Sequence, residues 1–331
     1  MLLIAPLAGG LLAASAPVAA APPPVPAPAQ AAVRAAQVAQ HDAARTLAEQ
    51  RQVLRYWTPE RMRQAKPLDR REPGRTHTAA TPRRGRPLTV APARPRTGMA
   101  AHRSRSGRTN GSEWTGGGAV ATTTGRVFLK MGGDEYFCSA SAVNSGNRDV
   151  VVTAGHCLKD GKGAWASKWT FVPGYRDGKR PYGGFTARRM FVAKGWSSAN
   201  DSDDVGMAAL NKARGRHVVD AVGGQGIAFG KARPSSAYAF GYPADPPYHG
   251  GRLVYCNGKL KSDSDTKDEG MRCDMTEGAS GGPWLSGFHR SSGSGTITSV
   301  TSFKYSDEPS VMYGPYFGAQ ARAVYKKADA A

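Results

Sequence analysis

The chain has 331 residues, with 45 Lys and Arg against 25 Asp and Glu, a formal net charge of +20. Its four cysteines include no CxxC spacing, and no internal repeat is visible, which argues against a zinc module and against a solenoid. An even cysteine count suits disulfides and an oxidising, extracytoplasmic setting.

Met1 to about Ala21 is an apolar, Ala- and Leu-rich run that closes on Val18-Ala19-Ala20-Ala21 before Pro22-Pro23-Pro24. It reads as the hydrophobic and cleavage regions of a secretory signal spanning residues 1–21, although no Lys or Arg precedes it. A membrane anchor is the rival reading. Pro6 and Gly9-Gly10 interrupt the run and prolines end it, which disfavours a span.

Residues 22–113 form a basic, Pro- and Arg-rich pro-segment or linker with 18 basic and 6 acidic residues, more than half of the chain's excess charge. Ala31 to Gln52 is poor in Gly and Pro and predicts a helix. Thr58-Pro59-Glu60 predicts a second helix start, with Thr58 as N-cap and Pro59 at the first helical position. From Lys66 to Gly111 the composition predicts disorder. A polybasic segment of this kind could hold nucleic acid or an anionic envelope surface. Tyr56 and Trp57 are its aromatic residues, too few for a base-stacking platform. The plainer reading is a soluble pro-segment with many Arg sites for processing, and Arg103 to Asn110 is the expected place for a maturation cut.

Residues 114–331 suit one β-rich domain. Strand-like runs separated by turn signals fall at Gly125–Met131, Val150–Ala154, Trp169–Pro173, Phe185–Ala193, Ala237–Tyr242 and Gly295–Phe303. Phe317 to Lys327 predicts a helix near the C-terminus, and little else should break the β pattern.

Two strings within this domain carry chemistry. Thr153-Ala154-Gly155-His156-Cys157 ends a β-branched run, and Gly278-Ala279-Ser280-Gly281-Gly282-Pro283 flanks a serine with glycines. A serine hydroxyl is a weak nucleophile until a base takes its proton, and histidine is suited to that near neutral pH. Glycines let the chain turn so that amide N–H groups converge where an oxyanion could form.

TAGHC followed by GxSGGP resembles the chymotrypsin/trypsin-like serine peptidases. The wider wording, Phe137-Cys138-Ser139-Ala140-Ser141-Ala142-Val143 and Cys273-Asp274-Met275-Thr276, is similar to a secreted bacterial branch related to the glutamyl endopeptidases. The resemblance covers roughly residues 114–331. It implies an all-β fold of two six-stranded antiparallel β-barrels with a C-terminal helix, preceded here by a partly helical, partly disordered leader. It also implies a secreted, monomeric enzyme that cleaves protein or peptide substrates without metal or other cofactor. No specific nucleic-acid partner and no stable membrane insertion after signal removal are expected.

Residue by residue, the resemblance implies a triad of His156, an aspartate and Ser280, in that order along the chain. Asn200-Asp201-Ser202-Asp203-Asp204 offers three aspartates. Asp204 directly precedes the apolar run Val205–Leu210 and is the one expected to be buried beside His156, with Asp201 and Asp203 in a solvated loop. The backbone N–H groups of Gly278 and Ser280 would form the oxyanion hole. Cys138–Cys157 matches the family's bridge, which leaves Cys256 with Cys273 among three connectivities. Ala279 stands where trypsin-like digestive enzymes carry the Asp that pairs with a new N-terminus, so that activation switch is not expected.

Specificity is the thinnest part of the sequence. Asp274 lies six residues before Ser280, where trypsin-like enzymes place the acid that binds Lys or Arg, and this favours a basic P1 side chain. Thr276, Ser302 and Phe303 would line the same pocket. Lys304 would sit near its mouth, to neutralise Asp274 or to bind an acidic P1. Two rival functions are an inactive protease-like fold and an envelope- or polyanion-binding protein acting through its basic leader.

Overall fold

The computed structural model of the chain describes residues 2, 38–68, 71–72, 82–94, 110–161, 163–194, 196 and 203–331. Apart from Leu2, these fall within one compact unit, residues 36–331. The expected signal therefore lies outside the described residues except for Leu2, and the expected maturation stretch lies outside them except for Asn110. Among the described residues, no helix is long and apolar enough to cross a membrane.

The leader is built into the protein. Strand β1 (Val38–Asp42) is followed by helix α1 (Leu47–Tyr56), helix α2 (Pro59–Gln64) and strand β2 (Lys66–Pro67). Short strands β3 (Arg71–Glu72), β4 (Leu88–Val90) and β5 (Ser112–Glu113) complete it. Thr46 and Glu49 cap α1 reciprocally, the Thr46 hydroxyl accepting the Glu49 N–H while the Glu49 carboxylate accepts the Thr46 N–H. Thr58 caps α2 through the Arg61 N–H, with Pro59 at the first position.

The first half of the domain begins with the short helix α3 (Gly118–Thr123). It continues through β6 (Thr124–Met131), β7 (Asp134–Ala142), β8 (Val150–Thr153), β9 (Ser167–Pro173), β10 (Phe185–Ala193) and β11 (Gly206–Leu210). The six strands run in the order β10-β11-β8-β7-β6-β9, and β9 pairs back to β10 at Phe171↔Phe185, closing a barrel. Alternate residues such as Val127 and Leu129, or Cys138, Ala140 and Ala142, fill its interior.

After helix α4 (Val218–Val222), the second half carries β12 (Gly226–Phe229), β13 (Ser236–Gly241), β14 (Val254–Lys259), β15 (Lys261–Ser262), β16 (Glu269–Arg272), β17 (Pro283–His289), β18 (Ser294–Val300), β19 (Lys304–Tyr305) and β20 (Val311–Gly314). Its sheet runs β4-β12-β18-β17-β13-β14-β5, and β15-β16-β20 form a three-stranded companion. Helix α5 (Ala319–Asp329) crosses to the first barrel and buries Ala321, Val324 and Ala328.

Two expectations for the leader change. The helix predicted over Ala31–Gln52 is a strand at Val38–Asp42 and a helix only from Leu47, because β1 finds the open edge of β10, from Val38↔Ala193 to Asp42↔Arg189. Backbone pairing with a tertiary neighbour outweighs local helix preference there. Parts of the stretch predicted to be disordered are strands instead: β2 pairs with β7, β3 with β19 and β4 with β12. Composition cannot report a partner supplied by a distant edge. The C-terminal helix expected over Phe317–Lys327 is observed at Ala319–Asp329.

Candidate active site

The loop after β8 and the segment just before β11 meet because these strands are neighbours, Thr153 pairing with Gly206. This brings Asp204 under His156. The His156 backbone N–H donates to Asp204 Oδ1 at 2.8 Å, and the ring Nδ1 lies 2.8 Å from Oδ2. A carboxylate only accepts, so Nδ1 carries the proton and Nε2 presents its lone pair. Nε2 has no hydrogen-bond partner among the described residues. Asp204 is fully buried, and Ser302 Oγ adds a third donor to it at 2.5 Å. Three donors compensate the desolvated charge and hold the carboxylate in one orientation. Glycine suits position 155, where a Cβ would crowd Asp204 Oδ1 at 3.0 Å and the Trp196 ring at 3.3 Å.

Ser280 approaches from the second half, on the turn before β17. It is held to the first barrel by the Ser139 N–H, which donates to its carbonyl at 2.8 Å. Ser280 and His156 are both nearly buried, at 6% and 7% exposure. Gly278 has φ +89°, and a Cβ on it would strike the Phe137 ring at 2.5 Å and the Tyr242 carbonyl at 2.7 Å. Among the described residues, the amide N–H groups of Gly278 and Ser280 have no backbone acceptor. Both cysteine pairs are joined, Cys138 to Cys157 and Cys256 to Cys273. The cluster of Cys138, His156 and Cys157 donor atoms therefore offers a metal no thiolate.

A cavity of about 290 Å³ opens beside Ser280, lined in part by Asp274, Thr276, Ser302, Phe303 and Lys304. The structure thus gathers every residue expected in the pocket, but two of them engage other groups than expected. Lys304 Nζ donates to the carbonyls of Cys273 at 2.9 Å and Pro309 at 2.7 Å. Asp274 Oδ1 accepts from the Gly111 N–H at 2.6 Å and from the Tyr248 hydroxyl at 2.7 Å. Burial first, then this carboxylate, push the Tyr248 phenol up from its ordinary range.

Residues 115–321 match the trypsin family. The chain belongs to that family. Among solved structures, the protease Anisep from Arthrobacter nicotinovorans is 39% identical with a TM-score of 0.60, covering 63% of this chain and 96% of its own. The thermostable serine protease AL20 from an extremophilic microorganism is 35% identical with a TM-score of 0.60, covering 64% of this chain and 99% of its own. A Glu endopeptidase shares the fold at 18% identity and a TM-score of 0.52. Two curated bacterial proteins match shorter stretches. An extracellular metalloprotease of Bacillus subtilis (strain 168) is 36% identical over 84 residues, which are 25% of this chain and 26% of that protein. A glutamyl endopeptidase of Bacillus licheniformis is 37% identical over 70 residues, 21% of this chain and 22% of its own. The chain thus aligns with about a quarter of the length of these curated relatives.

Some residues of this trypsin-family site escaped sequence reasoning in their roles. Ser302 was expected as a pocket wall, yet its hydroxyl also holds Asp204. Tyr248 and Gly111, the partners of Asp274, are 26 and 163 residues away from it in sequence, and no local pattern links them.

Proposed function

We propose that the chain is a secreted serine endopeptidase that works through an acyl-enzyme. The observation that carries this reading is the buried Asp204–His156 pair, which leaves Nε2 as an unpartnered base, with Cys157, the next residue, reaching the Ser280 carbonyl through Sγ at 3.8 Å. In the first step Ser280 Oγ bonds to the scissile carbonyl carbon while its proton passes to Nε2. The new oxyanion would be met by the N–H groups of Gly278 and Ser280, which have no backbone acceptor among the described residues. Collapse breaks the C–N bond, and the imidazolium gives its proton to the departing amine. Water then repeats the sequence on the ester and restores Ser280. Asp204 keeps the proton on Nδ1 and stabilises the imidazolium.

The pocket supports a basic P1 residue. Asp274 and Glu277 place two carboxylates on the pocket wall, while the Lys304 ammonium on the same wall donates to two backbone carbonyls. The ties of Asp274 to Gly111 and Tyr248 fix its position and leave lone pairs for a guanidinium or ammonium.

The test is covalent labelling with a fluorophosphonate probe, beside Ser280→Ala and His156→Ala. Labelling that needs both residues is expected, and no labelling of the folded protein refutes the triad. A panel of P1-varied peptides then checks specificity: cleavage after Arg and Lys should dominate, and Asp274→Asn should lower kcat/KM for them by about 100-fold or more. Equal cleavage across the panel refutes the basic pocket.

A further inference from the structure

Ser139 of β7 is completely buried beneath the oxyanion loop and bonds to that loop through every polar atom but one. Its Oγ donates to the Gly278 carbonyl at 2.8 Å and accepts from the Tyr242 N–H at 3.0 Å. Its backbone N–H donates to the Ser280 carbonyl at 2.8 Å. The remaining atom, its carbonyl, accepts from Thr153 Oγ1 at 2.8 Å, on the strand that leads into the His156 loop. One peptide upstream, the Glu277 carbonyl accepts from the Ala244 N–H at 2.9 Å.

These bonds bear on Gly278, the residue that supplies an oxyanion donor. A glycine at φ +89° has no side chain to bias its neighbouring peptides, so either could rotate unless something holds it. In a trans peptide, C=O and N–H point in opposite directions. Anchoring the Glu277 carbonyl on Ala244 therefore aims the Gly278 N–H away from that anchor. Anchoring the Gly278 carbonyl on Ser139 fixes the following peptide, and the Ser139 N–H fixes the one after Ser280. Neighbouring Ser141 does no such work, since its hydroxyl reaches only the Ala142 carbonyl at 3.4 Å.

We propose that the Ser139 hydroxyl is a positioning residue for the oxyanion hole: it latches the Gly278 carbonyl so that the loop amides converge before substrate arrives. This rests on the reading of Ser280 as the nucleophile. Removing the hydroxyl leaves the Gly278 carbonyl and the Tyr242 N–H buried without this partner, and the Gly278–Ala279 peptide is then held only by the long Ala279 N–H bond to the Thr276 carbonyl at 3.3 Å.

The experiment compares Ser139→Ala, Ser139→Thr and Ser299→Ala with the wild type in the full chain. Ser299 donates its buried hydroxyl to the Pro315 carbonyl at 2.9 Å, so its loss is the same kind of bond lost outside the site. The latch predicts that Ser139→Ala lowers kcat about 10- to 100-fold, less than outright removal of an oxyanion donor, with KM within about twofold. Affinity for a peptide aldehyde, whose adduct places an oxygen in the hole, should fall by the same factor. Ser139→Thr should recover most of both, and Ser299→Ala should change neither. Wild-type kcat and aldehyde affinity in Ser139→Ala overturn the latch; if that variant does not fold, Ser139→Gly decides by the same measurements. Crystal structures of wild type and variant give an answer independent of turnover: an unchanged Gly278–Ala279 peptide in the variant overturns the latch. A wild type that neither turns over nor labels refutes the nucleophile reading alone.

Discussion

At the scale of single residues, the site depends on donors and acceptors being in fixed supply. Asp204 accepts from the His156 N–H, the His156 ring and the Ser302 hydroxyl. Replacing it with Asn would present an NH₂ where Nδ1 needs an acceptor and shift the ring to the wrong tautomer. Asp204→Asn is expected to leave the fold intact and lower kcat by about 10⁴-fold, read by steady-state kinetics beside a melting curve. Ser302→Ala removes a single donor to Asp204 and should cost far less, about 2- to 10-fold. A Ser302→Ala loss as large as that of Asp204→Asn would mean that Ser302 has a more direct part in the chemistry.

At the scale of elements, the hairpin β15–β16 turns on Asp263. Burial acts to raise this carboxyl, but hydrogen bonds from Thr266, Tyr305 and Asp265 outweigh it and hold it below its ordinary value of 3.8. The sign follows: the unfolded chain binds this proton more readily than the folded one. The stabilisation is therefore complete above about pH 4 and is lost as pH falls through the lowered folded value. Asp263→Asn should destabilise the protein at neutral pH and make its stability less dependent on pH in the acid range. Parallel stability–pH curves for the two proteins would show that Asp263 does not titrate in this way. Because Tyr305 lines the Ser280 cavity, the hairpin also steadies one pocket wall.

At the scale of the whole molecule, the leader is clamped to the first barrel by burial more than by charge. Trp57 is 1% exposed, packs against Phe128 with ring centroids 5.5 Å apart, and donates its indole N–H to the Lys168 carbonyl. The ion pairs Arg61–Glu135 and Lys66–Asp134 lie at the surface. Trp57→Ala is expected to cost about 3–5 kcal/mol in chemical denaturation. Replacing Arg61 and Lys66 together by Ala should cost less than about 1 kcal/mol and add little salt dependence. The reverse ranking would show that the basic leader docks electrostatically.

What the sequence determined by itself is chemistry written at short range. The helix start at Thr58-Pro59, the strand Phe185–Ala193 and the helix near the C-terminus are legible because caps, β-branched runs and apolar periodicity act between neighbours. His156, Asp204 and Ser280 stood out for the same reason, each marked by the residues beside it. Only the tertiary structure decided which groups each side chain meets. Asp204 reaches His156 because β8 and β11 pair, Asp274 is held by Gly111 across 163 residues, and Lys304 turns to two carbonyls. The leader's helix gave way to a strand at Val38–Asp42 because an open barrel edge offers backbone hydrogen bonds. Ser139, a small residue in a strand, becomes a latch because packing of the Ser280 loop against the first barrel brings the Gly278 carbonyl to its hydroxyl. Such partners are set by strand pairing and barrel closure between distant segments, which residue type and spacing along the chain do not encode.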